Sequence, residues 1–277
     1  MKIAVYSRDD GVVANPRFVS MVETLKSGPF ELYNIKSGRD ILPGTDMVMS
    51  VGGDGTFLSA AKRVGDSGIP VLGINLGRLG FLSEYSPEEA CDALYEGTYS
   101  LENRELLDTR ISGDIIDSGS SFWPYSLNEI SVLRCGAAIL GIDVSIDGNP
   151  LPTYWADGLL VSTSSGSTAY SLSVGGPICV PDSKVLIIAP IAPHNLNVRP
   201  LVVPDTTRIS ISMRSRDDRV TMSMDNRNLL LPASARIDVM VAQFSLKRVR
   251  LEKSSFIKAL TTKLFWGEDI RNGGEQL

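Results

Sequence analysis

The sequence predicts two domains: an N-terminal α/β domain built on a mainly parallel sheet, and a C-terminal all-β antiparallel sandwich, with a tail helix returning to the first. Three observations predict this. Short apolar runs alternate with helical patterns over residues 1–100, β-branched runs punctuated by turn residues fill 101–253, and helical spacing resumes after Ser254. The expected bounds are therefore 1–100 with the returning tail 254–277 for the α/β domain, and 101–253 for the all-β domain. A chain of 277 residues suits two cores better than one, because a single core stops growing at roughly this length.

Ile3–Tyr6 reads as the first strand. Asn15-Pro16 follows as an N-cap with proline at the first helical position, where a missing N–H costs nothing. Phe18, Val19, Val22 and Leu25 then recur at helical spacing until Gly28. Phe30–Ile35, Met47–Val51 and Ile69–Ile74 are the next strands, and Ser86 with Glu89 has the spacing of a capping box opening a helix that Gly97 ends. Strands and helices alternating in this way give a Rossmann-like sheet. Farther on, Val144–Ile146 runs into the turn Asp147-Gly148-Asn149-Pro150, and Ile209–Met213, Val220–Met224, Ile237–Val241 and Leu246–Leu251 continue the strands. Asp225-Asn226-Arg227 reads as a hairpin turn with Asn226 taking the positive φ. In the tail, Phe256, Ile257, Leu260, Leu264 and Phe265 fall on or near one helical face.

Composition excludes several classes of function. At 43% hydrophobic and 21% charged residues the chain is too apolar for extensive disorder. A net charge of -5 and a pI near 5.1 exclude the basic face of a duplex nucleic-acid binder. A phosphorylated partner must then be gripped locally, by amides, a metal or a few cations. Cys91, Cys135 and Cys179 are too few and too scattered for a disulfide framework or a zinc site, which fits a reducing compartment. The most apolar run, Val185–Ile191, is too short to cross a bilayer, so a cytoplasmic protein without a membrane partner is expected.

The chemistry concentrates at Gly52-Gly53-Asp54-Gly55-Thr56, between a buried-looking strand and a helical run starting at Phe57. Glycines let backbone amides approach phosphate oxygens, and the following helix presents its positive end. A carboxylate beside phosphate has a use if it takes a proton or binds a metal, making Asp54 the candidate base or magnesium ligand. Read alone, the string fits a tight turn with a helix-capping aspartate equally well. A second glycine-rich stretch, Gly73–Leu82, follows the next strand; its Arg78 has the reach for a phosphate, although taken singly it fits a surface arginine in a tight connection better.

In the second domain, Asn128-Glu129 pairs an amide with a carboxylate, groups suited to a nucleoside's hydroxyl and amino groups, although read alone the pair fits a solvated strand end better. Asp157-Gly158 precedes an apolar strand that runs into Ser162–Pro177, dense in small hydroxyl residues that can follow a ribose or phosphate closely, with Tyr170 able to stack on a ring. His194, the only histidine, lies in a proline-flanked loop and is left out of the candidate site.

Together, Gly52–Thr56, Gly73-Ile74-Asn75 with Gly77–Leu82, Asn128-Glu129, and Asp157-Gly158 with Gly166–Ser173 resemble the NAD kinase family in order and spacing over most of the chain. The first motif alone also resembles phosphofructokinases and diacylglycerol-type lipid kinases. The resemblance implies phosphorylation of the 2′-hydroxyl of the adenosine ribose of NAD, with Asp54 activating that hydroxyl. It implies that Asp54, Gly55, Asn128, Glu129, Asp157, Thr168, Ala169, Tyr170, Ser171, Leu172 and Ser173 contact NAD. The phosphates of ATP, or of polyphosphate, would lie against Gly52, Gly53, Gly55 and Thr56 with a divalent cation such as magnesium, in a homodimer or homotetramer. Arg78, Trp155 and Arg227 complete the candidates; at the last two, many relatives carry a basic residue and a glutamine. A kinase acting on a lipid or sugar hydroxyl, and a non-catalytic NAD sensor, are the alternatives.

Overall fold

The computed structural model describes residues 1–36, 40–77, 80–118, 122–252 and 254–267. Its first unit, Met1–Asn103 with Leu246–Leu277, is built on β1 (Lys2–Tyr6), α1 (Pro16–Lys26), β2 (Glu31–Ile35), β3 (Met47–Val51), α2 (Asp54–Val64), β4 (Val71–Ile74) and α3 (Pro87–Glu96). The strands run parallel in the order β2-β1-β3-β4. From β1 the chain turns to β2 on one side and to β3 on the other, so the strand order switches direction there; the carboxyl ends at such a point are where open α/β sheets bind ligands. Every residue of β3 is buried, as its unbroken Met-Val-Met-Ser-Val run requires of a strand covered on both faces. Helix α1 buries Phe18, Met21 and Leu25, while Val19 faces outward, so the buried stripe is narrower than the apolar pattern. The capping box of Ser86 and Glu89 is present, and Gly97 ends α3 in the left-handed conformation at φ 69°.

The second unit, Arg104–Ser245, takes most of β5 (Tyr99–Ser112), then β6 (Tyr125–Ser126), β7 (Glu129–Arg134), β8 (Leu140–Ile146), β9 (Asn149–Pro150), β10 (Tyr154–Ala156), β11 (Gly158–Thr163), the short helix α4 (Tyr170–Ser173), β12 (Val185–Ile191), β13 (Leu201–Pro204), β14 (Ile209–Arg214), β15 (Arg219–Met224), β16 (Arg227–Pro232) and the start of β17 (Arg236–Leu251). One antiparallel sheet has the order β13-β12-β11-β7-β15-β16; the other runs β10-β8-β14-β17. Ile130, Val132, Leu159 and Val161 from the first share a core with Leu140, Ile142, Ile209 and Ile211 from the second, which makes the unit a sandwich. Burying each such side chain contributes about 1.5–3 kcal/mol.

The turn joining β8 and β9 has Asp147 at φ 48° and Gly148 at φ 82°, the pair of positive angles that a two-residue hairpin favours. In the turn between β15 and β16 the positive φ of 51° belongs to Asp225 and not to Asn226. The inversion turns the Asp225 carboxylate inward, where three backbone amides await it. After β17, whose Arg248 pairs parallel with Val71 of β4, the chain enters α5 (Phe256–Leu264) in the first unit. Of the expected apolar face, Ile257 and Phe265 remain 64% exposed, and α5 buries only Ala259.

Candidate active site

In the first unit, the Gly52–Thr56 loop leaves the carboxyl end of β3 beside the switch in strand order. Gly52 sits at φ 144°, where a side-chain carbon would lie 2.5 Å from Thr56 Oγ1, so the turn requires glycine. Gly53 is the N-cap of α2 and offers no side chain to its first amides. Asp54 is the first helical residue, yet its carboxylate does not cap its own helix. It accepts the amides of Phe81 at Oδ2 (2.9 Å) and of Leu82 and Ser83 at Oδ1 (3.0 and 2.8 Å). A carboxylate offers about four lone-pair directions; with three occupied, the fourth is fixed in space for a proton or a cation.

The segment supplying those amides is itself tightly held. A side-chain carbon at Gly80 would overlap the Asp54 carboxylate, and one at Gly73 would strike the Leu82 carbonyl. Asn75 accepts the Gly77 amide at 2.6 Å and reaches the Ser83 carbonyl at 3.4 Å. Arg78 lies outside the described residues. Sequence reasoning passed over Arg8, which follows β1 at the switch point and whose guanidinium stands 3.5 Å from where a Gly55 side chain would begin. Its position just past a strand next to the loop strand is the signal that would have found it.

In the second unit, Glu129 opens β7 with Asn128 just before it, and each is 8% exposed. Asp225 fixes them: its Oδ2 accepts the Leu127 amide at 2.9 Å, and its Oδ1 those of Asn128 and Glu129 at 2.8 and 3.3 Å. On the other side, the Asn128 carbonyl accepts the Thr163 amide (2.9 Å) and the Ser162 hydroxyl (3.1 Å), and a side-chain carbon at Gly166 would collide with it. The serine-rich run is wound into a 3-10 turn, Ser165–Thr168, and α4. Several of its hydroxyls serve the backbone: Ser164 bonds the Pro181 carbonyl and Ser167 both backbone groups of Cys179. Ser171 is buried, whereas Tyr170 and Ser173 are exposed and Thr168, Ala169 and Leu172 half-buried.

Glu129 receives the Tyr170 amide, and its Oε2 has no partner. Burial, reinforced by the charge of Asp225 and opposed by that amide, pushes its carboxyl up to about 8 from an ordinary 4.5. Asp225 is also raised by burial, a shift that three backbone amides and Arg227 oppose. A carboxyl raised on folding stabilises fully below about 4.5, and that stability is lost as pH rises through about 8. Glu129→Gln removes this dependence. Urea unfolding at pH 5 and pH 9 is expected to show the wild type losing on the order of a few kcal/mol more than the variant; parallel losses would contradict the assignment.

Other candidates lie elsewhere. Asp157 bonds Arg134 Nε at 2.6 Å. Because Ser162 pairs with Glu129 and Gly158 with Leu133, Asp157 stands at the opposite end of β7 from Glu129, about 15 Å away at strand rise. Trp155 on β10, 42% exposed, covers Gly141 of β8. Arg227 donates to the carbonyls of Trp123 and Tyr125 and lies over the Trp123 ring at 5.1 Å, bracing the segment that leads into Asn128. The sequence marks Asp225 only as part of a hairpin turn; the amides of Leu127, Asn128 and Glu129 on its carboxylate reveal its role.

Residues 21–99 match the ATP-NAD kinase N-terminal domain, and residues 127–251 the ATP-NAD kinase C-terminal domain. The NAD kinase of Bacteroides fragilis is 45% identical over 230 residues, which are 82% of this chain and 78% of that protein. That of Flavobacterium psychrophilum is 38% identical over 265 residues, 94% and 90% of the two chains. Among solved structures, an NAD kinase from Archaeoglobus fulgidus in complex with ATP aligns with TM-score 0.74 at 27% identity, covering 91% of this chain and 95% of that one. Yeast NADH kinase complexed with NADH shares the fold at TM-score 0.84 and 24% identity, covering 97% and 88%. With both domain signatures in order and relatives alike over most of their length, the chain belongs to the ATP-NAD kinase family.

Proposed function

We propose that the protein transfers the terminal phosphoryl group of ATP to the 2′-hydroxyl of the adenosine ribose of NAD, giving NADP and ADP. Membership of the family makes it a phosphotransferase, and one observation supports the catalytic reading: Asp54 is aimed by three amides at the start of a helix beside the strand-order switch. In the reaction the 2′-oxygen attacks the terminal phosphorus, the bridging P–O bond breaks, and Asp54 takes the hydroxyl proton. Gly52, Gly53, Gly55 and Thr56 with the N-terminus of α2 bind donor phosphate, and Arg8 adds a cation there. Asn128, a protonated Glu129 and the Thr168–Ser173 segment, with Tyr170 exposed, hold the nucleoside; Asp157, Trp155 and Arg227 are assigned to NAD less directly.

Among the described residues no group of three His, Cys, Asp or Glu side chains forms a metal cage. A divalent cation, magnesium by preference, fits as an ion carried by phosphate oxygens and water, which leaves the one free direction on Asp54 to the hydroxyl proton. When bound it supplies neutralisation of phosphate charge. No helix among the described residues is long and apolar enough to cross a membrane, in keeping with a cytoplasmic enzyme. Edge strand β13 exposes Leu201 and Val202, which supports a homodimer or homotetramer.

The test is NADP formation by the purified protein with magnesium and ATP, then with polyphosphate as donor. NADP is expected with ATP. Absence of NADP with both donors, or labelled phosphate appearing on a lipid or sugar instead, overturns the proposal.

A further inference from the structure

We propose that Lys263, on the tail helix α5, is a positioning residue for this phosphoryl transfer, holding the Gly80–Ser83 segment in the shape that seats Asp54. The inference rests on the reading of Asp54 as the base. Lys263 Nζ donates to the Gly80 carbonyl and lies 5.0 Å from the centre of the Phe81 ring. Phe256, one end of α5, meets the same ring at 6.5 Å. Phe81 is the residue whose amide reaches Asp54 Oδ2, and Gly80 both packs on that carboxylate and donates its amide to the Ser83 carbonyl at 3.1 Å. The helix thus grips, from both its ends, Gly80 and Phe81, two of the four residues that lie against the catalytic carboxylate.

The rest of α5 is lightly attached. Ala259 alone is buried, and a cavity of about 350 Å³ is lined by Tyr85, Ala93, Leu251, Lys258, Ala259 and Lys263. A lysine in the last turn of a helix ordinarily serves that helix's own free carbonyls; this one is spent on another segment. Burial pulls its ammonium below the usual lysine range, opposed by Glu84 and Asp54 and assisted by Arg248, as befits a cation placed for contact rather than solvation. Arg248 approaches the same segment from the core, at 3.4 Å from the Leu82 carbonyl, so the segment is held from both sides.

Lys263→Met keeps the apolar stem and removes the donor and the charge. We expect kcat for NADP formation to fall about tenfold or more, since small displacements of a catalytic group carry large rate penalties. KM for NAD should stay within about threefold, and Lys263→Arg should restore most of the rate. Amide hydrogen exchange at Phe81–Ser83 should quicken about tenfold in the methionine variant and stay near wild type in the arginine variant. A kcat within twofold of wild type, or unaltered exchange at these amides, overturns the proposal. Should the methionine variant not fold, Lys263→Gln is judged by the same criteria. If the wild type makes no NADP, the functional reading falls, and the exchange measurement, which needs no turnover, still decides whether Lys263 holds the segment.

Discussion

Asp54→Asn is expected to lower NADP formation by about 10³-fold, because a positioned general base contributes roughly 10²–10⁴ to rate. The asparagine oxygen can still accept the Leu82 and Ser83 amides, so the loop stays near its place. Its nitrogen, however, faces the Phe81 amide, donor against donor, and it has no lone pair with which to receive the ribose proton. Loss should therefore appear in kcat, with NAD affinity preserved within about an order of magnitude, the pattern of an interaction made in the transition state. Steady-state kinetics with calorimetric NAD titration separates the two. Turnover within about threefold of wild type would remove Asp54 from the reaction.

The second large effect is expected at Asp225, whose carboxylate holds the Asn128-Glu129 backbone. In Asp225→Asn one oxygen serves Asn128 and Glu129 while the new amide nitrogen opposes the Leu127 N–H in a buried site. Leaving such a group unsatisfied costs about 1–3 kcal/mol, and urea unfolding should register a loss in that range. NAD affinity should fall about tenfold, because the backbone bearing Asn128 and Glu129 is no longer pinned. The Glu129 carboxyl should also move back toward its ordinary range, since the charge of Asp225 is one of the two causes that raise it. Unchanged stability together with unchanged NAD affinity would show that Asn128 and Glu129 need no such anchor.

Much of this was legible in the sequence because the signals are local. Ser86 with Glu89, Gly97, the mainly apolar run of β3 and the Asp147-Gly148 turn each report on the backbone within a few residues of themselves. The glycine loop likewise announced a tight turn at the end of β3, and Gly52 at φ 144° makes that turn. Less legible were the faces of the outer helices: the pattern in α5 marks Ile257 and Phe265 as apolar, but nothing local says that only Ala259 will be covered. The turn at Asp225-Asn226 read correctly as a hairpin while the inverted residue was misassigned, because the intrinsic preference of asparagine yielded to three amides waiting for a carboxylate.

By itself, then, the sequence determined the two-domain class, the loop bearing Asp54 and the pair Asn128-Glu129. Tertiary structure decided what holds them. Asp54 meets amides 27 to 29 positions away, Asp225 reaches amides 96 to 98 positions away, and Lys263 meets Gly80 across 183. Such pairs leave no periodic trace along the chain. They exist because sheet register sets β15 against β7, and because a helix from the far end of the chain returns to the first unit, so residues with no local signal of their own become the ones that aim the rest.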